Sequence, residues 1–491
     1  MRLGSLGHLP YRDFAYTQMP VLPLTYSLAQ PLIQRWGFVA GRFFTAILAL
    51  ASALVAGALA SELLPSWQRI EAGLLTLILV LINVYQAYFF AVVKTYSLTA
   101  FFLLSGIYIL AIALKRRSTL AALFSGAILV LAGGTRISAG IALPIIFVYL
   151  VLQRHKFASL LWLYFGLGSL LMACIVILPF AFIAPESFWF CIFKYHTVRE
   201  AGTFYKMLVY KAGFLSRLLH AYFVPVALWF GIGLAKMFFS AKPDQPDAQD
   251  FSTPEVTFIR RALWACLIGI TLIHLSASFP YDDYQVFAYP LFAIVVSVMA
   301  VRFVARARSF WLHWLLLVVF ILSIGASVSS PINQNWVVKG RDRIWWKIKE
   351  KSPLKKLQEA GVLLKTMTRR GDLLLTQDPY LAVESGLFLP RGLEMGQFSY
   401  FPELSLEKAK KFHVLNRVLM ERLLETCNAP VAALSGYAFA IQSPEIKLVS
   451  IDEQYLFRHI VLQHFRPVCE ITDFGQAFTT LQILKRKQST L

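Results

Sequence analysis

Between residues 38 and 330 the chain alternates long apolar stretches with short connections rich in Lys and Arg. An apolar stretch of that length can satisfy its backbone polar groups in lipid only by forming a helix. The hydropathy pattern predicts about ten spans, at 38–62, 73–92, 97–114, 119–133, 137–153, 157–183, 219–239, 262–279, 285–303 and 310–330. Those at 119–133 and 137–153 are short enough to close as a hairpin. Only 15% of the residues are charged, against about 25% in a soluble domain, so most of the chain belongs in a bilayer. Three regions follow: a first outer loop with an amphipathic stretch (1–37), an all-α polytopic membrane domain (38–330), and a polar tail (331–491) that reads as a small α/β extracytoplasmic domain.

The net charge of +20 would suit a nucleic-acid binder, but the cations occupy connections. They are Lys115-Arg116-Arg117, Arg154-His155-Lys156, Lys236 to Lys242, Arg260-Arg261, and Arg302, Arg306 and Arg308. Alternate threading puts all of them on one face, which is then cytoplasmic. Nucleic acid is not an expected partner; membrane lipids are. The opposite, outer face receives the opening, Lys94-Thr-Tyr96, Thr135-Arg136, the 184–218 loop, Tyr281-Asp-Asp-Tyr284 and the tail. Met1 to Pro20 lacks the apolar core of a cleavable signal peptide, so the first span is expected to direct insertion.

No CxxC or Cys/His cluster occurs among the five cysteines, so no zinc or iron–sulfur site is signalled. Cys174, Cys191 and Cys266 read as small core residues. Cys427 and Cys469 lie in the tail, where an exported domain could bridge them. In that tail Asp372 to Thr376 and Ala429 to Gly436 suit buried strands, Lys408 to Thr426 a helix, and Thr479 to Leu484 a late strand. Trp345-Trp346 with Lys347, Lys349 and Lys351 makes an interfacial basic stretch. The tail carries no nucleophile elbow or P-loop.

Chemistry on the outer face needs charge, and the charged side chains there are few. Asp13 is the leading carboxylate, either orienting or deprotonating a hydroxyl, or capping its turn and pairing with Arg12. Arg136 lies between two apolar segments, where an unpaired charge is costly, and suits a phosphate contact or a structural ion pair. Lys94 either snorkels to the interface or joins that contact. Asp282 and Asp283 precede Tyr284 at a span mouth, where they could hold a divalent cation or simply be solvated. Lys194, His196 and Arg199 in the 184–218 loop, with Tyr11 and Arg12 in the opening, complete the inventory of substrate contacts.

Several of these stretches share a likeness. Gly7-x-x-Pro-Tyr-Arg-Asp-Phe-x-Tyr-x-x-x-Pro20, followed by Arg35-Trp-Gly37 and Gly41-Arg42, resembles the first outer loop of GT-C glycosyltransferases. These membrane enzymes, related to protein O-mannosyltransferases and lipid A aminoarabinose transferases, use polyprenyl-phosphate sugars. Leu131-Ala-Gly-Gly-Thr-Arg-Ile137, Tyr281 to Pro290, Ala382-Val-Glu-Ser-Gly386 and Gly392-Leu-Glu-Met-Gly-Gln-Phe398 are similar to further pieces of that family. The resemblance implies transfer of a sugar from a polyprenyl-phosphate donor to a lipid, glycan or protein acceptor on the outer face. It implies direct displacement at the anomeric carbon, with Asp13 or an acid upstream as base, and its setting is expected to be a bacterial inner membrane. The family usually opens with one more helix ending in an acidic residue, so a missing first helix is expected. Two rivals stay open at this point: a transporter or flippase of a lipid-linked substrate, and an inactive membrane scaffold.

Overall fold

The computed structural model describes residues 2–157, 160–197, 203–238, 253–278, 280–306, 311–334, 351–444, 446–475 and 479–487. By internal contact the chain divides into two units. Unit 1 comprises Met1–Gly41, Pro179–Glu200 and Lys339–Leu491; unit 2 comprises Arg42–Leu178 and Ala201–Val338.

Unit 2 is helical among its described residues. Phe38–Glu62, Tyr96–Arg116 and Pro254–Ser276 are each long and apolar enough to cross a membrane. Two further helices are broken: Ser66–Leu81 turns through 73° into Val84–Ala91, and Phe204–Ala221 turns through 86° into Phe223–Ala235. Shorter apolar helices, at Thr119–Thr135, Ile137–Leu152, Leu161–Val176, Tyr289–Ala305 and His313–Ala326, complete the set. Each expected span thus has a helical counterpart, and those at 73–92 and 219–239 correspond to the bent pairs. The one expected at 157–183 is broken at Ile177 (φ −120°) into helices Leu161–Val176 and Leu178–Ile183, just before Pro179, which lacks the N–H that a continuous helix would use.

Glycine sets the tightest packing in this unit. A Cβ on Gly168 would come within 1.9 Å of the Leu123 carbonyl oxygen, and one on Gly126 within 2.1 Å of that of Phe165. Helices Thr119–Thr135 and Leu161–Val176 therefore meet backbone to backbone, as small residues allow in membranes. Ser125 reinforces the neighbouring contact, donating to the Gly106 carbonyl at 2.8 Å in Tyr96–Arg116.

The two helix breaks are joined by polar side chains. Asn83 accepts the Gln86 amide at 3.0 Å, capping Val84–Ala91, and donates to the Ala221 carbonyl at 2.7 Å at the other break. Gln86 accepts from the Tyr222 hydroxyl at 3.0 Å and donates to the Val286 carbonyl at 2.8 Å. Tyr222 stacks on Tyr289 with ring centroids 3.9 Å apart. Non-helical backbone is tolerated at membrane depth only where protein satisfies it, and this buried network does so. It also anchors the 281–288 loop that carries Asp282 and Asp283.

Unit 1 contains a four-stranded sheet in the order β1-β2-β6-β5, from β1 (Leu374–Leu375), β2 (Val431–Leu434), β5 (Phe465–Phe474) and β6 (Thr479–Arg486). Between β2 and β5 the chain forms a separate hairpin of β3 (Ile441–Gln442) and β4 (Lys447–Leu448). β1 and β2 run parallel, and β6 is antiparallel to β2 and β5. Strand alternation splits the core between the two faces. Val431 and Ala433 join Leu357, Leu364 and Ile483 on one side. Ala432 and Leu434 join Met420, Leu424 and Phe457 on the other. β2 is buried throughout, which is why its sequence reads as a continuous apolar run. The helix expected over Lys408 to Thr426 is two helices, Leu406–Lys411 and Arg417–Thr426. The break contains His413 at φ 56°, and Asn416 caps the second helix through the Leu419 amide. Cys427 and Cys469 are both free thiols, so the bridge the sequence allowed is not made. The Trp345-Trp346 stretch and Arg199 lie outside the described residues.

Candidate functional site

The strongest constellation of charge in unit 2 is assembled from three elements. Asp282 and Asp283 sit on a short 3-10 turn, Asp282–Gln285. Lys94 lies one residue before Thr95, the N-cap of helix Tyr96–Arg116, and Arg136 is the C-cap of helix Thr119–Thr135. The Asp283 carboxylate accepts from Lys94 Nζ at 2.9 Å and from the Tyr96 hydroxyl at 2.6 Å. Burial pushes its pKa upward, but Lys94, Tyr96 and Arg136 outweigh that and hold it below the usual carboxylate value. Asp282 accepts from Arg217 Nε at 2.6 Å. Here burial outweighs the Arg217 contact and the neighbouring Asp283 charge adds to it, so its pKa is raised.

Arg136 is 9% exposed. Its guanidinium carbon lies 4.6 Å from the Tyr284 ring centroid, 5.2 Å from that of Tyr96 and 5.7 Å from that of Phe287. This cation–π cage fixes its plane. Nη1 donates to Thr95 Oγ1 at 3.2 Å, whereas the buried Nε has no hydrogen-bond partner. An unsatisfied charged donor of this kind costs about 1–3 kcal/mol or more, so its retention needs an explanation. His274 lies beside the same aromatic group, 5.5 Å from Tyr284 between centroids, and contacts Ser138 Oγ at 3.0 Å through Nε2. Its Nδ1 is also buried without a partner.

Lys94, Arg136, Asp282, Asp283 and Tyr284 therefore come together, as their sequence positions at span mouths suggested. Tyr96, Arg217 and His274 join them without having been singled out as site residues. His274 carried a signal, as an ionisable residue within an expected span, whereas Arg217 sits at the end of the 184–218 loop among several other cations.

The remaining candidates belong to unit 1. Asp13 accepts the Leu9 amide at 2.7 Å and pairs with Arg12 at 2.7 Å. The Arg12 hydrogen bond, helped by the Leu9 amide, holds its pKa below the ordinary value against the effect of burial. Tyr11 is fully buried at φ 67°, donates its hydroxyl to the Gln18 carbonyl at 2.5 Å, and packs edge-on against Phe180 and Phe188. His196 Nε2 lies 3.0 Å from the Thr17 carbonyl oxygen, and Lys194 is exposed. Among the described residues no group of three or more His, Cys, Asp or Glu side chains gathers to hold a metal ion.

The sequence matches no protein-family model, and no curated protein is significantly similar to it. Solved structures do match. ArnT from Cupriavidus metallidurans bound to undecaprenyl phosphate superposes with a TM-score of 0.60 at 13% identity, covering 99% of this chain and 92% of that one. The same protein in its apo state gives 0.58 at 13% identity, covering 98% and 91%. The Archaeoglobus fulgidus oligosaccharyltransferase complex with Zn and sulfate gives a lower 0.47 at 14% identity, covering 86% and 60%. The match to ArnT over nearly the full length of both chains is one of architecture: this chain shares the fold of that structure, and its long apolar helices make it an integral membrane protein.

Proposed function

We propose that the chain is a membrane glycosyltransferase that takes a sugar from a polyprenyl-phosphate donor and passes it to a lipid, glycan or protein hydroxyl on the outer face. The fold supports this reading, and the similar ArnT structure is bound to undecaprenyl phosphate. The observation that carries it is Arg136, a buried guanidinium held flat by aromatic rings, with Nε unpartnered and Lys94 in the same cluster. A phosphate oxygen would satisfy that donor, and Arg is the side chain suited to planar phosphate contacts.

The chemistry then follows from charge. The acceptor oxygen attacks the anomeric carbon, the bond from that carbon to the phosphate oxygen breaks, and the leaving phosphate keeps the electron pair. Arg136 and Lys94 stabilise the negative charge that develops on it. The acceptor's proton passes to a carboxylate. Asp282, with its raised pKa, is a stronger base than Asp13, whose pKa is lowered by Arg12.

The test uses the purified full chain in nanodiscs. Undecaprenyl phosphate should bind, and Arg136→Gln and Lys94→Gln should each weaken binding at least tenfold. Release of polyprenyl phosphate from a labelled donor sugar should fall roughly 100-fold or more in Arg136→Gln, the scale of losing a donor to a developing anion. Unchanged binding in both variants would sink the phosphate assignment. Lipid flux without sugar transfer would favour a flippase.

A further inference from the structure

Unit 1 holds a chamber that the transfer chemistry leaves unused. Three cavities of about 350, 500 and 260 Å³ share Glu394 in their walls, and the first two also share His8, Asp13 and Arg391. Each of the larger two falls within the size of small-molecule sites, about 300–1,000 Å³. The 350 Å³ cavity is lined with charge from Arg391, Lys410 and His413 beside the Arg12–Asp13 pair. The 500 Å³ cavity is walled mainly by hydrocarbon, including Phe14, Leu373, Phe388, Leu389 and Leu423.

The charge at the polar end does not cancel. Asp13 is matched by Arg12 at 2.7 Å. Glu394 accepts the Gly392 amide at 2.7 Å, and burial, opposed by that amide and by the Arg391 charge, raises its pKa to about 7, so it is only partly ionised near neutrality. Arg391 and Lys410 make no ion pair among the described residues. The wall is also held in costly backbone, with His413 at φ 56°. Such strain persists only where the surroundings over-determine it.

We propose that unit 1 binds an amphipathic anion, a phosphate or carboxylate headgroup on a hydrocarbon chain, with Arg391 and Lys410 on the headgroup and Phe14, Leu389 and Leu423 against the chain. Arg391 lines both larger cavities and Lys410 the polar one, so two cations outside any ion pair stand beside an apolar chamber and complement that chemistry, whereas a free phosphate would leave the larger cavity unfilled. The assignment is independent of the phosphate site in unit 2.

Octyl phosphate titrated into the full chain in a neutral detergent, monitored by calorimetry, tests it. The Arg136→Gln background removes the guanidinium contact proposed for unit 2. There octyl phosphate should still bind, at least tenfold tighter than inorganic phosphate. Arg391→Ala with Lys410→Ala should weaken it at least tenfold, and Leu423→Trp, which fills the apolar chamber, should weaken it similarly. Arg391→Lys with Lys410→Arg should bind like the parent. Affinity unchanged in the double alanine protein, or lost equally in the conservative pair, would overturn the headgroup assignment. Inorganic phosphate binding as tightly as octyl phosphate would overturn the amphipathic one.

Discussion

At the scale of single residues, several side chains carry a structural role that chemistry alone would have hidden. Tyr11 stood beside Arg12 and Asp13 as a substrate contact, yet its ring is fully buried and its hydroxyl is taken by Gln18. Tyr11→Phe should therefore cost about 1 kcal/mol of stability, the worth of one hydrogen bond, and leave undecaprenyl phosphate affinity unchanged in the nanodisc titration. Asp378 behaves differently. It is 2% exposed, and burial raises its pKa to about 6, with hydrogen bonds from Ser435 and Tyr380 opposing the shift. A carboxyl whose folded pKa lies above its unfolded value stabilises fully below the unfolded value, and loses that contribution as pH rises through about 6. Raising the pH from about 4 to 7 should thus lower the thermal midpoint of unit 1, by an amount corresponding to roughly 3 kcal/mol. Asp378→Asn should flatten that part of the profile, which scanning fluorimetry would read. Glu394, raised to about 7, contributes in the same direction and leaves a residual slope.

At the scale of elements, the helices of unit 2 owe their positions to two devices. One is the glycine contact between Thr119–Thr135 and Leu161–Val176. Gly168→Ala would place a methyl within 1.9 Å of a backbone oxygen, so it should destabilise the detergent-solubilised protein by about 1–3 kcal/mol, as overpacking does. The other is the pair of broken helices tied by Asn83. Asn83→Ala removes both the cap and the bond to Ala221. It should cost about 1–3 kcal/mol, and lower sugar transfer by loosening the loop that holds Asp282 and Asp283. A transfer rate unaffected by Asn83→Ala would show that the breaks do not position that loop.

At the scale of the whole molecule, alkaline carbonate should leave the chain in the membrane pellet. The proposed orientation predicts that a C-terminal alkaline phosphatase fusion is active and a fluorescent-protein fusion in the same place is dark in a bacterial host; the reverse pattern would place the tail in the cytoplasm. Much of the architecture was legible in sequence because its causes are local. Backbone polar groups in lipid force helices, so ten apolar stretches could be counted without knowing their neighbours. β1, β2 and β6 announced themselves by short apolar runs, and the glycines of Gly392 to Gly396 by a motif whose ends both adopt positive φ. The β5 strand, with its mostly exposed alternation, gave no such signal. What only the tertiary structure decided was partnership. Nothing in the order of residues says that the helices at 66–91 and 204–235 break and bond at their breaks. Nor does it say that Arg217 and His274 join Asp282 and Arg136, or that segment Pro179–Glu200 belongs with the tail in unit 1. Spans are dictated by transfer free energy summed along a few turns of one helix, whereas sites are dictated by distances between residues far apart in sequence, which only packing sets.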